Sequence, residues 1–171
     1  MAGLPRRLAS ALIKNNNAYF NLQLQTKDNR VLNTKDLFFE PTLTTVDGNQ
    51  VLSMKLKSSD NAFLEYKYVL KPKDYMLDFD IRTQGLNTVL NTSKPVDFQW
   101  DMKTYRNEKS ISYENRYAEI VFEYEDGKDD FVGQGSDKEE TPDKVTYIAY
   151  KQHFFTSILL TKTPFEKASL K

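Results

Sequence analysis

Few residues of this chain have the type and spacing that chemistry requires. His153 is the only histidine among 171 residues. Beside an Asp or Glu it would form an acid–base unit, because imidazole exchanges protons near neutrality. It follows Gln152 and precedes the aromatic pair Phe154-Phe155, where the sequence reads as a bend between two apolar strands. A structural histidine is the stronger reading there, since a catalytic one must first reach a second group. Trp100, the only tryptophan, offers a flat stacking surface for sugar or peptide. It shares its parity with Val96, Phe98 and Met102, which points it toward a core.

Two acidic clusters, Asp126 to Asp130 and Asp137 to Glu140, carry the oxygen ligands that hard cations prefer. Neither has the spacing of an EF-hand loop, and Lys128 and Lys138 dilute their charge, so both read as solvated loops. There is no phosphate-binding Gly-rich loop, no dinucleotide turn, no Gly-x-Ser-x-Gly elbow and no His/Cys pattern for zinc. Asn91-Thr92-Ser93 matches a glycosylation acceptor, which matters only in a eukaryotic secretory route. The expectation is no catalytic residue, no cofactor-binding residue, no metal ligand and no enzyme activity. Residue type alone does not identify a partner-binding surface.

The elements that would position these residues are strands. From Asp74 to Arg82, Tyr75, Leu77, Phe79 and Ile81 alternate with residues that are polar apart from Met76. Successive strand side chains point to opposite faces, so such a segment buries one face and wets the other. The same period recurs at Phe20 to Leu24, Leu52 to Leu56, Leu64 to Leu70, Val96 to Met102 and Ala118 to Tyr124. Leu37 to Val46 is another candidate, and Pro41 confines it to an edge or a bulge. Asp47-Gly48 is a hairpin signal, and Lys71 to Asp74 reads as a second turn. Gln84 to Pro95 is a polar loop, and Glu125 to Asp143 a mobile loop rich in Gly and charge. Val145 to Leu160, apolar at both parities, is expected to be the most buried part of a sheet, broken near Gln152 and His153. Leu8 to Lys14 reads as one or two helical turns. Thr163 to Glu166 has a capping-box layout with Pro at the first helical position, which predicts a short terminal helix. About eight to ten strands at regular spacing predict an antiparallel β-sandwich with one or two short peripheral helices.

Bulk composition narrows the function class. Lys plus Arg and Asp plus Glu number 24 each, so the basic stripe of a nucleic-acid binder is missing. Aromatics reach 13%, which suits strands. The length predicts one domain, large enough to fold without disulfide or metal. With no cysteine, redox compartment cannot be read. No apolar run approaches the roughly 20 residues that span a bilayer. Residues 1–16 are set apart as an N-terminal segment, of foreign origin or poorly ordered, and 17–171 as a single β-sandwich domain.

Four stretches together carry a family resemblance. Tyr68 to Asp80 (YVLKPKDYMLDFD) resembles a hairpin of the periplasmic domain of YidC-type membrane protein insertases, a strand, a basic turn ending in Asp-Tyr and a second alternating strand. Lys138 to Leu160 (KEETPDKVTYIAYKQHFFTSILL) is similar to the family's aromatic-apolar strand followed by Gln, an aromatic pair and small residues. Val96 to Asp101 (VDFQWD) and Leu37 to Pro41 (LFFEP) fit in order and spacing. The resemblance covers most of residues 17 to 165. The family's opening strand with an Asn-x-Gly-Gly-type turn is not found.

The resemblance implies a β-supersandwich akin to galactose mutarotase folds, at the periplasmic face of a Gram-negative inner membrane. It implies a non-catalytic part in insertion and folding of inner-membrane proteins, docking Sec translocon accessory proteins and serving nascent membrane proteins through the full-length protein. Membrane contact would run only through helices absent from this chain, and no nucleic acid or cofactor is expected. Oligomeric state is left open. The alternative is a carbohydrate-binding module on the same supersandwich, with a cleft lined by aromatics and carboxylates. Sugar mutarotase activity is disfavoured, because those enzymes rely on more than one histidine.

Overall fold

Asp47 and Gly48 both hold positive φ, at 50° and 79°. That is the turn whose twist matches a two-residue hairpin, and it joins β3 (Glu40–Val46) to β4 (Asn49–Ser59). β4 pairs antiparallel with β5 (Ala62–Leu70), and β5 with β6 (Leu77–Gln84). The result is a four-stranded sheet in the order β3-β4-β5-β6. In the computed structural model, residues 15–135 and 139–171 are described. The predicted helical turns at Leu8 to Lys14 and the acidic Asp137 lie outside the described residues. The chain divides into two compact units, Met1–Asp101 and Met102–Lys171.

In the first unit, β1 (Ala18–Gln25) is the middle strand of a second, three-stranded sheet. It is flanked by β2 (Val31–Asn33) and β7 (Asp97–Met102). The two sheets pack face to face. Leu22 and Leu24 of β1 join Leu64 and Tyr66 of β5, with Leu86 and Leu90 from the loop after β6, in one buried cluster. Phe20 of β1 meets Tyr66 and Phe79 across the interface, each at 5.3 Å between ring centroids. Gly85 starts that loop at φ +64°, and a Cβ there would collide with the Asn61 carbonyl, so the position needs glycine.

The outer faces of both sheets hold buried polar groups that are fully engaged. Asn21, with no exposed surface, donates to Asn33 Oδ1 at 3.1 Å and Gln99 Oε1 at 2.9 Å, and accepts from the Lys35 amide at 3.1 Å. Glu65 sits opposite Lys55 on β4 and Arg82 on β6. Arg82 Nε and Ser53 Oγ both donate to its carboxylate. Lys55 Nζ lies 4.4 Å above the ring of Phe63 and caps that buried aromatic.

The second unit opens with a short helix, α1 (Ile111–Asn115), whose N-cap Ser110 accepts from the Tyr113 amide. Its sheet has the order β11-β10-β8-β9, from β8 (Glu119–Tyr124), β9 (Lys128–Gly133), β10 (Asp143–Lys151) and β11 (Thr156–Lys167). Phe122, Val132 and Leu170 form its core.

The architecture is all-β, as the alternation predicts, with eleven strands among the described residues against the eight to ten expected. Three expectations are corrected. Thr163 to Glu166 continues β11 instead of starting a helix. Phe165 pairs with Val145, and the register shift between Val145 and Tyr147 takes up the irregularity around Pro164. The supposed loop from Glu125 contains β9, launched by a turn in which Glu125, Asp126 and Gly127 all hold positive φ. Val145 to Leu160 is not the most buried stretch. Val145 and Ala149 are buried, but β11 is an edge strand whose Ile158 and Leu160 are exposed. The break at Gln152 and His153 is present, between β10 and β11.

Phe79→Asp places a charge among Phe20, Tyr66 and Tyr68 and should cost about 3 kcal/mol. Asp78→Ala removes one half-exposed ion pair with Lys71, worth less than about 1 kcal/mol. Thermal unfolding should separate the two clearly; equal Tm values would refute the parity assignment. Burial alone would raise the Glu65 carboxyl, but the hydrogen bonds from Arg82 and Ser53 and the charges of Arg82 and Lys55 outweigh it and hold the group below its ordinary range. A depressed carboxyl stabilises the fold above its unfolded pKa, roughly 4.3, and that stability is lost as pH falls through the folded value. Arg82→Ala should therefore cost about 2 kcal/mol at pH 7. Its Tm gap to the parent should close below roughly pH 4, and a gap independent of pH would count against the pairing.

Candidate functional site

His153 stands in the four-residue turn between β10 and β11, which closes with the Gln152 amide donating to the Phe155 carbonyl at 2.8 Å. Its ring stacks on Tyr117 at 4.4 Å and 10°, leans on Phe154 at 4.3 Å, and meets Tyr113 edge-on at 5.5 Å. Nδ1 lies 3.6 Å from Glu108 Oε1, an ion-pair distance but too long for a hydrogen bond. The carboxylate arrives from the loop before α1. Glu114 of α1 holds that loop by accepting from the amides of Asn107 at 2.8 Å and Glu108 at 3.1 Å. Those two backbone bonds, from Glu108 and then Asn107, keep the Glu114 carboxyl below its usual range.

An imidazole beside a carboxylate is the pair that acid–base chemistry uses. Here three aromatic rings pack against it. What the arrangement does is mechanical, in that the aromatic stack ties α1 and its preceding loop to the β10–β11 turn. Glu108 and Tyr117 were invisible as partners in the sequence, because they lie 45 and 36 residues from His153.

The other sequence candidates are dispersed. Trp100, on β7, is half-buried at the parity that faces the sandwich. In the first acidic cluster, Lys128 Nζ pairs with Glu125 at 2.6 Å and Asp129 accepts from the Tyr147 hydroxyl at 2.8 Å. In the second, Glu139 is engaged by Ser169 and Lys171. Among the described residues no group of three or more His, Cys, Asp or Glu is placed to hold a metal ion. Among them also, no helix is long and apolar enough to cross a membrane.

The feature that sequence reasoning missed is an apolar groove of about 460 Å³, lined by Leu43, Gln50, Leu52, Met54, Tyr68, Leu70 and Leu77. These residues share the inner face of the four-stranded sheet of the first unit with Leu64 and Tyr66. The groove is the part of that face which the three-stranded sheet leaves open. The alternation at Leu43, Leu70 and Leu77 signalled an apolar face, and nothing in the pattern marked where its cover ends. Tyr75, read as part of that face, lies in the turn before β6 and is fully exposed. The lining includes a single aromatic ring and no carboxylate, unlike the cleft a sugar module would carry. Beside the groove, every residue of the edge strand β3 is exposed.

His153→Ala should lower Tm by a few degrees, since it removes a stacked ring worth about 1 kcal/mol beyond its buried area. The parent should show no sugar-anomer turnover. Turnover that vanished in the variant would reinstate the catalytic reading.

The sequence pattern described as the YidC periplasmic domain matches residues 8–171. Membrane protein insertase YidC of Parabacteroides distasonis is 35% identical over 153 residues, which covers 88% of this chain and 24% of that protein. The protein of the same name from Phocaeicola vulgatus is 30% identical over 155 residues, with 88% and 24% covered. That from Bacteroides fragilis is 29% identical over 181 residues, with 96% and 29% covered. The chain thus spans about a quarter of the length of these relatives. No solved structure matches. With an all-β body and a match to the pattern over nearly its whole length, the chain belongs to the YidC periplasmic domain family.

Proposed function

We propose that this chain is the non-catalytic periplasmic part of a membrane protein insertase, stationed at the periplasmic face of a bacterial inner membrane, with residues 17–171 acting as one domain. In this reading it serves the insertion and folding of inner-membrane proteins by docking accessory proteins of the Sec translocon. It uses no cofactor, and contact with the bilayer runs through helices of the full-length protein. The observation that carries the reading is the family match over residues 8–171, reinforced by relatives named as membrane protein insertases.

The geometry suits docking better than chemistry. The single histidine is packed among aromatic rings, whereas β3 presents an exposed strand at the edge of a sheet. A free edge carries unpaired N–H and C=O groups that an extended segment of a partner can take up as an added strand. Pro41 and Glu40 blunt the start of that edge. Thr42 to Val46 leave the rest open.

Deleting the counterpart of residues 17–165 from the full-length protein should abolish recovery of Sec components in a pull-down. Undiminished recovery would reject the docking role while leaving the family assignment intact.

A further inference from the structure

We propose that the chain self-associates through β3, two copies pairing antiparallel about a two-fold axis at Thr44 so that their four-stranded sheets join edge to edge. The register of the Asp47-Gly48 hairpin carries the argument. A two-residue turn is closed by a hydrogen-bonded pair, here Val46 and Asn49. Such pairs alternate along an antiparallel ladder, so Glu40, Thr42, Thr44 and Val46 direct their backbone groups to β4. Pro41, Leu43 and Thr45 direct theirs away from the sheet. The placement of Pro41 agrees, since a proline in a strand belongs where no ladder N–H is needed. Among the described residues β3 has no strand on its outer side. That side therefore presents the N–H and C=O of Leu43 and Thr45 and the C=O of Pro41.

The two edges of this sheet differ. β6 carries Asp78, Asp80 and Arg82 along its length, the kind of charge that keeps an edge from pairing. β3 is exposed throughout, and from Thr42 to Val46 it has no charge and no proline, only Thr, Leu and Val, of which Thr and Val favour strands. A two-fold pairing needs no second sequence, because the same patch meets itself. Pro41 selects the registration. Centred on Leu43, the pairing would set the Thr45 carbonyl of each copy against a proline, which has no N–H to give. Centred on Thr44, Leu43 faces Thr45 of the second copy on both sides of the axis, and every bond between them forms. No like charges meet within the paired segment. The inner faces, each with Leu43 beside Leu52, become continuous across the axis. Strands this short bury less than the roughly 1,200 Å² of a standard interface, so the dimer is weak and concentration-dependent. The inference needs only this chain and is independent of Sec docking.

The chain has no cysteine, so single cysteines report the pairing in the full 171-residue protein. In the proposed registration the two copies of Thr44 lie opposite each other as a non-hydrogen-bonded pair, about 4.5 Å apart at Cα, within reach of a disulfide. Thr42 faces Val46 of the second copy, so like positions there stand four residues, about 13 Å, apart. Under mild oxidation Thr44→Cys should give roughly ten times more disulfide-linked dimer than Thr42→Cys or Val46→Cys, all three positions being exposed on one face. As a second measurement, sedimentation of the parent should show the mean mass rising toward that of a dimer between micromolar and millimolar concentration. Thr45→Pro removes an outward N–H and leaves the bonds to β4. It should stay monomeric with unchanged circular dichroism. Comparable disulfide yields at the three positions, a parent that is monomeric at millimolar concentration, or undiminished association in folded Thr45→Pro would each overturn the proposal.

Discussion

An aromatic layer centred on Phe20 packs between the two sheets of the first unit, beside the buried Leu22, Leu24 and Leu64. Phe20 contacts Tyr66 and Phe79 on the facing sheet, and Phe98 on its own sheet at 5.7 Å. Phe39 stacks on Tyr66 at 4.7 Å, and Tyr68 on Phe79 at 4.6 Å. Each such pair adds about 0.5–1.5 kcal/mol beyond the area it buries. More important is the geometric demand. Rings of this size fit only if both sheets present the correct parity at the correct height, so the contact selects one registration of the sandwich from many that would bury similar area. Burial of the Tyr66 hydroxyl raises its pKa, and that of Tyr68 rises further for the same cause.

The polar residues on the outer faces fix register from the other side. A one-residue slip of β1 would carry Asn21 into the aromatic layer and away from Asn33, Gln99 and the Lys35 amide. A slip of β5 would do the same to Glu65. Either would bury a polar group without partners, at about 1–3 kcal/mol for each unmet bond. These networks add little net stability as pairs. Their effect is to make the alternatives worse, which complements an aromatic layer that rewards the native arrangement.

How far the sequence could be read depended on whether a feature was local. The period-2 pattern located β4, β5, β7 and β8 closely, because polar and apolar residues alternate through the middle of each and local turns mark their ends, as at Asp47-Gly48. It failed at β9, where Lys128, Asp129 and Asp130 hide a strand whose main apolar anchor, Val132, is buried by neighbours rather than by pattern. It failed also at Thr163 to Glu166. A capping box is a preference of about 1 kcal/mol, and the ladder with β10 overrides it. Tyr75 shows the opposite error, since alternation continued past the start of the strand into a turn that nothing covers. His153 was conspicuous by type, but the carboxylate and rings that decide its role come from a distant loop and helix.

The open groove and the packed histidine point the same way about what the fold is for. A site that does chemistry concentrates polar groups in a cavity that excludes water. Among the described residues the His153–Glu108 pair is packed against aromatic rings, while the groove of the first unit is lined mostly by aliphatic side chains, with Met54, Tyr68 and Gln50. Such a surface is suited to bury an apolar segment. Within one sheet, the covered part of a single apolar face makes the core and the uncovered part lines the groove. The same alternation that folds the domain therefore leaves it able to hold a strand or a greasy segment, which fits the proposed place of this domain beside proteins on their way into a bilayer.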